Sequence, residues 1–310
     1  STKLEGPDTF FIPFNRGYDG GAGNPPVSVL DSGYSTQYLW RDTWSRHTLL
    51  DIIQHFLMHE KAKGRRKLGR MLGKLIFPRW HQHRSVDQLV AQAASDGAGH
   101  NYLVQHSAGS GKSNTIAWLA HRLSQLQDAR DERIFNAIIV VTDRKVLDAQ
   151  LQHTVRLYEK TRGLVETIDG TSKQLREALE DGKQIIVTTL HKFPVILDSI
   201  GKLAGTRFAL LIDEAHSSQG GEMHQKMTKV LTERGDVEDE MDYEDVIHLE
   251  MAARGKQDNI SVFAFTATPK SKTLELFGTK DSDGRFVPFS LYSMRQAIEE
   301  KFILDVLENY

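Results

Sequence analysis

The chain has 310 residues, 39% of them hydrophobic, which allows a sizeable core and about two domains. Its 39 Lys and Arg against 41 Asp and Glu leave a net charge of −2, so there is no global basic signature for nucleic acid, and the lack of cysteine excludes disulfides and thiolate metal sites. No apolar run approaches the roughly 18 residues needed to cross a bilayer, and the opening Ser-Thr-Lys-Leu-Glu-Gly-Pro is no signal peptide, so a soluble chain in a reducing cytoplasm, without a membrane partner, is expected. The missing initiator methionine points to a fragment or a processed chain.

Residues 1–35 are rich in Gly, Pro, Asn and Ser, loosest from Gly17 to Pro26, and read as a linker or irregular arm. From Trp40 to Met58 the apolar residues Leu49, Leu50, Ile53, Phe56 and Leu57 recur at helical spacing, which predicts an amphipathic helix. Lys61 to Lys74 holds seven basic residues and no acid. That composition suits a solvated loop, or a contact with DNA phosphates or an acidic partner surface. After Phe77-Pro78-Arg79-Trp80-His81-Gln82 a helix is predicted through Val86, Leu89, Val90 and Ala93. His81 and His83 could be metal ligands by spacing, but at a helix start they are expected to face solvent.

From Tyr102 the pattern alternates strand and helix, with strands predicted at 102–105, 136–142, 164–168, 184–189, 208–213 and 260–266. Such alternation implies an α/β fold, a parallel sheet covered by helices on both faces. The first strand runs into Gln105-His106-Ser107-Ala108-Gly109-Ser110-Gly111-Lys112-Ser113, and a helix carrying Ile116-Ala117-Trp118-Leu119-Ala120 follows. A strand, a glycine-rich turn ending in Lys-Ser and a helix together describe a phosphate-binding loop. Gly109, Ser110 and Gly111 would curl the backbone so that its N–H groups face an anion at the helix N-terminus. Lys112 would reach the β- and γ-phosphates of ATP, and the Ser113 hydroxyl would ligate Mg²⁺.

A chance glycine turn is excluded only by a second motif, and Phe208-Ala209-Leu210-Leu211-Ile212 supplies it by ending in Asp213-Glu214-Ala215-His216. An acid at the tip of a neighbouring parallel strand can hold Mg²⁺, which assigns Asp213 to the metal. Glu214 is positioned to orient and deprotonate the attacking water. His216 more plausibly couples the nucleotide site to other motifs. The strand 260–266 exits into Thr266-Ala267-Thr268-Pro269, whose hydroxyls at Thr266 and Thr268 could link the γ-phosphate to a bound polymer. Between them, Glu233 to Glu250 carries nine acids against Arg234, an exposed insertion (233–258) rather than a magnesium site.

With these pieces in place the chain resembles the motor (R) subunit of type I restriction-modification enzymes, a superfamily 2 helicase and translocase group. His106 stands where the phosphate loop usually has its first glycine, and a non-glycine residue there is common in superfamily 2. Thr9-Phe10-Phe11-Ile12-Pro13-Phe14-Asn15-Arg16-Gly17 looks like the segment that follows the nuclease domain in that family. Phe77-Pro78-Arg79-Trp80-His81-Gln82 is similar to its adenine-reading segment, which gives Gln82 to the base. Val141-Thr142-Asp143-Arg144-Lys145 and Thr188-Thr189-Leu190-His191-Lys192-Phe193 are similar to its DNA-backbone motifs, which assigns Arg144, Lys145 and Lys192 to DNA phosphates. Asp213-Glu214-Ala215-His216-Ser217 extends the acidic motif in the family's way, with Ser217 where Arg is more usual. Phe265-Thr266-Ala267-Thr268-Pro269-Lys270 with Thr273-Leu274-Glu275-Leu276-Phe277-Gly278 is the most family-specific stretch. Ser293-Met294-Arg295-Gln296-Ala297-Ile298-Glu299-Glu300 looks like the approach to a second motor lobe.

The resemblance implies a RecA-like first lobe over 77–290, a linker and helical segment over 1–76 after an absent nuclease domain, and over 291–310 the start of a connection to an absent second lobe. It implies a bacterial or archaeal motor that reels in double-stranded DNA with ATP and Mg²⁺ and cleaves remotely, alongside methylation and specificity subunits. No Asp…Glu-x-Lys nuclease core is found, and the arginines that complete hydrolysis belong to the second lobe, so the isolated chain is expected to turn over little ATP. Remodeller-like and type III restriction motors are rival readings, against which Thr-Leu-Glu-Leu-Phe-Gly argues. A nucleotide-gated DNA-binding or assembly module without turnover is the alternative of a different class.

Overall fold

A computed structural model describes residues 2–4, 13–30, 33–61, 73–142, 145–159, 163–168, 172–189, 196–197, 199–200, 203, 205–213, 247, 251, 255 and 257–304. Among these, the strands are β1 (Thr2–Leu4), β2 (Met58–Lys61), β3 (Gly73–Phe77), β4 (Asn101–His106), β5 (Ala137–Thr142), β6 (Val165–Thr167), β7 (Ile185–Thr189), β8 (Phe208–Asp213), β9 (Ile260–Thr266), β10 (Thr279–Lys280), β11 (Phe286–Val287) and β12 (Ser290–Tyr292). The longer helical stretches are α1 (Arg46–Asp51), α2 (Trp80–Asp96), α3 (Lys112–Ser124), α4 (Lys145–Leu157), α5 (Ser172–Glu180), α6 (Ser271–Phe277) and α7 (Met294–Glu299).

Seven strands form one sheet in the order β12-β4-β9-β8-β5-β7-β6, and every pairing in it is parallel. β5, β7, β8 and β9 are buried along their whole lengths, as strands covered on both faces must be; hence their continuous Val, Ile, Leu and Phe runs. Two apolar layers flank the sheet. One holds α2, α3 and Leu151 and Val155 of α4; the other holds Leu175 and Ala178 of α5 with Phe277 of α6. This is the α/β architecture that the alternation implied and the RecA-like lobe that the resemblance implied. The six predicted strands are present, and Val86, Leu89, Val90 and Ala93 of α2 are all buried.

The order departs from expectation in one respect. The acid-bearing β8 is not the neighbour of the phosphate-loop strand β4; β9 lies between them and bonds to both. A second addition is β12, a short edge strand on the far side of β4. Three residues are too few to show periodicity, and β12 crosses the expected boundary at 291.

The amphipathic helix predicted over Trp40–Met58 is broken up. A π-helical turn (Leu39–Thr43), α1 and a second π-helical turn (Ile52–Phe56) replace it. Ser45 caps α1 by accepting the Thr48 N–H at 3.3 Å. The change of pitch rotates Ile52 and Phe56 into the core and leaves Leu49, Leu50 and Ile53 exposed. Phe56 is the reason: its ring lies 5.4 Å from Trp118 and 4.8 Å from His83, and its carbonyl accepts the Trp118 indole N–H at 3.1 Å. The basic run begins and ends in an antiparallel hairpin, with Lys61 opposite Gly73 and Met58 opposite Ile76; residues 62–72 between them lie outside the described set.

Candidate nucleotide site

The parallel register brings four strand ends to one edge. Tyr292 pairs with His106, Gln105 with Thr266, and Phe265 with Asp213. In open parallel sheets this carboxyl edge is where ligands bind. The chain also leaves β5 at Thr142 and β7 at Thr189 on this edge, within the expected DNA motifs, which begin at Val141 and Thr188. Lys145 opens α4. Arg144, Lys192, Glu214 and His216 lie outside the described residues, as do the side chain of Lys145 and nearly all of the acidic insertion.

The loop between β4 and α3 is the predicted phosphate-binding turn. Gly109 and Gly111 adopt φ of +70° and +82°, a region that costs any residue with a Cβ roughly 1–2 kcal/mol. Gly109 has a further reason to lack a side chain, because a Cβ there would come within 3.2 Å of Ile303 Cγ2. The segment after α7 thus descends onto the loop. At its base, the Ser107 N–H donates to the Tyr292 carbonyl at 3.0 Å, and Ser110 N–H to the Ser107 carbonyl at 3.2 Å. The N–H groups of Gly109, Gly111 and Ser113 take no acceptor among the described residues. Uncommitted donors at a helix N-terminus are what a phosphate needs, so the loop fits ATP.

Lys112 is buried, its Nζ 3.3 Å from the His106 carbonyl of its own strand. Ser113 is half-buried beside it. Asp213 ends β8 and is buried, and Thr266 between them is wholly so. The Thr266 hydroxyl accepts the Thr268 N–H at 3.3 Å, while Thr268 is exposed. Of the expected site residues, then, Gly109, Ser110, Gly111, Lys112, Ser113, Asp213 and Thr266 share one edge.

Behind the loop lies a buried cluster that sequence reasoning missed. His81 and His83, expected in solvent, are both buried. They also diverge: His81 Nε2 meets the Ser110 carbonyl at 3.1 Å, whereas the His83 ring nitrogen lies 3.8 Å from Asp51. No group of three His, Asp or Glu able to hold a metal occurs among the described residues. The His81 ring stacks on Tyr292 at 3.8 Å and meets the His106 ring edge-on at 5.1 Å. His106 Nε2 contacts Ser85 Oγ at 3.0 Å and Ser290 Oγ at 3.2 Å. Burial, then the charges of Lys112 and Arg79, push the His106 imidazole down to about 3. Burial likewise lowers His81 well below its ordinary value, with His106 and Arg79 adding to it. Both rings are therefore neutral at physiological pH.

Gln82, expected at the adenine, is completely buried. Its Nε2 donates to the Ser110 and Gly111 carbonyls at 3.2 and 3.0 Å, and its Oε1 accepts the Arg79 N–H at 3.0 Å. Arg79 is itself buried and ion-paired to Glu300 at 3.0 Å. Its guanidinium also donates to the Tyr292 hydroxyl and lies 3.3 Å from the centre of the Phe302 ring. The Tyr292 hydroxyl donates to the same Glu300 oxygen at 2.8 Å.

A family model described as SWI2/SNF2 ATPase matches residues 81–236, half of the chain, and takes in the phosphate loop and Asp213. The chain belongs to the SWI2/SNF2 ATPase family. Members are ATPases by that description, so nucleotide binding with hydrolysis is the family's chemistry. No curated protein matches this family member. Among solved structures it is similar to the UvsW helicase from bacteriophage T4, at 12% identity and a TM-score of 0.42, covering 72% of this chain and 60% of that one. It is similar to the Hef helicase domain of Pyrococcus furiosus at 17% identity and a TM-score of 0.39, covering 62% and 34% respectively. A nuclease-deletion mutant of the type ISP restriction-modification enzyme LlaGI, in complex with a DNA substrate mimic, is similar at 14% identity and a TM-score of 0.41, covering 74% and 18%. This SWI2/SNF2 chain spans 60% or less of each of those chains. Among the described residues, no helix is long and apolar enough to cross a membrane.

Proposed function

We propose that this SWI2/SNF2 chain is the ATP-binding first lobe of a double-stranded DNA translocase, of the kind found in type I restriction R subunits. The observation that carries the nucleotide half of this reading is the meeting of Lys112, Ser113, Asp213 and Thr266 at one sheet edge, around loop N–H groups that take no acceptor within the described chain. The translocase half rests on the resemblance around Thr266–Gly278 and on the DNA motifs that follow β5 and β7.

In that reading Mg²⁺-ATP supplies an electrophilic γ-phosphorus and a leaving ADP, and the chain's own groups do the positioning. The loop N–H groups take the phosphate oxygens. The Lys112 ammonium leaves the His106 carbonyl and neutralises charge on the β- and γ-phosphates. Ser113 and Asp213 are the metal-holding pair. Glu214 orients a water and accepts its proton. Thr266 occupies the strand between loop and acid, well sited to report phosphate loss to a DNA contact through Thr268. Arg144, Lys145 and Lys192 would meet phosphates of the duplex, sequence-blind contacts suited to a motor that must step on any sequence. The methylation and specificity subunits would anchor the motor at its recognition site.

The deciding experiment is steady-state ATP turnover with Mg²⁺ and long duplex DNA, with Glu214→Gln as the blank and ATP binding measured in parallel. DNA-stimulated turnover above the blank supports the motor. ATP binding with turnover no higher than the blank supports a nucleotide-gated module or a lobe awaiting an arginine from elsewhere. No ATP binding rejects both.

A further inference from the structure

A cavity of about 490 Å³ opens at the sheet edge opposite the nucleotide site. Asn101 and Ile260 line it, and they are the first residues of β4 and β9. His106 and the phosphate loop lie at the other end of β4, about 17 Å away at the rise of a parallel strand. Leu197 and Ile260 belong to the second apolar layer, Met251 and Leu276 pack against it, and all four reach the cavity. The polar part of the wall is fixed by the strand starts. Ser261 Oγ accepts the Gly99 and His100 N–H groups at 3.0 and 3.2 Å, and Asn101 Nδ2 donates to the Leu276 carbonyl at 3.1 Å. Gly99, at φ +94°, lies so close to the next strand that a Cβ would come within 2.8 Å of the Asp258 carbonyl oxygen. That approach brings the neighbouring His100 and Gln257 to the same cavity. Two of their atoms, His100 Nδ1 and Gln257 Oε1, are buried and take no partner among the described residues. Buried polar atoms left unmade are rare and costly.

We propose that this cavity is a second ligand site, for an uncharged and mostly apolar small molecule that carries a hydrogen-bond donor. Its size, and its apolar walls with a few polar groups among them, suit such a ligand. Among the described residues that line it there is no Asp, Glu, Lys or Arg, so an ionised ligand would give up its water for no counter-charge. The Gln257 oxygen can only accept, which sets the donor on the ligand. The His100 nitrogen, donor or acceptor by tautomer, can meet a second polar group. Both atoms are closed to solvent, and the ligand gains them by a turn of the amide and the imidazole about their terminal torsions, which are soft. Lying at the opposite edge, the site stands or falls apart from the motor reading.

The test is methyl NMR at pH 7.5 of the chain labelled at its seven methionines, with the Met251 signal assigned by Met251→Leu. Three probes share a bicyclic core: indole, neutral with one N–H; benzothiophene, which has no donor; and indole-3-carboxylate, an anion. The Met251 signal should shift saturably with indole, at a Kd of about 1 mM or below. Benzothiophene should bind about tenfold more weakly, and indole-3-carboxylate should leave the signal in place. Gln257→Leu, close in shape, should bring indole down to the benzothiophene level, and Leu197→Trp should fill the cavity and abolish both shifts. Should Leu197→Trp not fold, the probe series and Gln257→Leu carry the comparison. Mg²⁺-ATP affinity should be the same with indole saturating. A Met251 signal that indole does not move overturns the inference. So does equal binding of benzothiophene or of the carboxylate, an indole preference that survives Gln257→Leu, or competition between indole and ATP. A chain that binds ATP but not indole loses this site and keeps the nucleotide reading.

Discussion

Lys112 has an expected partner in ATP, and its Nζ lies 3.3 Å from the His106 carbonyl. Lys112→Ala removes a charge-assisted contact worth about 1.5–3 kcal/mol, so ATP affinity should fall by about 10- to 100-fold while the thermal melt moves little. Unchanged affinity in a titration would remove Lys112 from the site. The two buried histidines make a separate prediction about acid. Both His81 and His106 have folded-state values below their unfolded ones. The unfolded chain therefore binds more protons below pH ~6.5, and stability is lost as pH falls from there, for His106 towards about 3; above pH ~6.5 neither ring contributes a slope. Each ring costs roughly 1.4 kcal/mol per pH unit within that window. Urea unfolding at pH 7.5 and 5.5 should show a drop of about 1–3 kcal/mol, roughly halved in His81→Phe.

Among the elements, α3 joins the nucleotide loop to the N-terminal segment through Trp118. The side chain is buried, its ring 5.4 Å from both Phe56 and Tyr158. Trp118→Ala should cost about 3–5 kcal/mol and free the π-helical turn over Ile52–Phe56, which limited proteolysis would register as new cleavage before β2. Asp51 adds an ionic tie on the same side. Burial alone would raise its carboxyl, but His83, Arg122 and His55 outweigh that and hold it at about 2. This tie is fully present above pH ~4 and is lost as pH falls from there through about 2, so it adds nothing between pH 7.5 and 5.5, where the histidines are compared. At the other end, α7 is held by the buried Arg79–Glu300 pair. Removing one partner leaves a buried charge unpaired, so Glu300→Ala should destabilise the lobe by about 3–5 kcal/mol in a chemical melt, more than any exposed charge in α7.

In the proposed reading as a DNA motor lobe, a net charge of only −2 would require DNA affinity to come from local clusters, those the resemblance gives at the ends of β5 and β7 and the run Lys61–Lys74. Binding should be indifferent to duplex sequence and fall steeply with salt, the log–log slope reporting about 0.9 per phosphate neutralised. A filter or anisotropy titration at two salt concentrations checks this. An affinity unchanged by salt would exclude phosphate contacts as its source.

Much of this was legible in the amino-acid sequence. Continuous apolar runs ending in Gly-rich or acidic turns mark strands buried on both faces, because a parallel sheet leaves no wet side; β4, β5, β7, β8 and β9 therefore stood where their runs predicted. The phosphate loop was equally plain, since paired glycines before Lys-Ser mark a tight turn, and the positive φ at 109 and 111 is the backbone that glycine adopts most easily. Long-range pairing was not legible. The insertion of β9 between β4 and β8, the recruitment of β12 and the reach of Glu300 to Arg79 across 221 residues leave no local trace in composition or period. His81, Gln82 and His106 are polar residues at a helix start and a strand end, where solvent is the ordinary expectation. They are buried because the loop's own carbonyls, Ser85, Ser290 and Tyr292 supply their partners, and those partners meet only once the sheet has assembled.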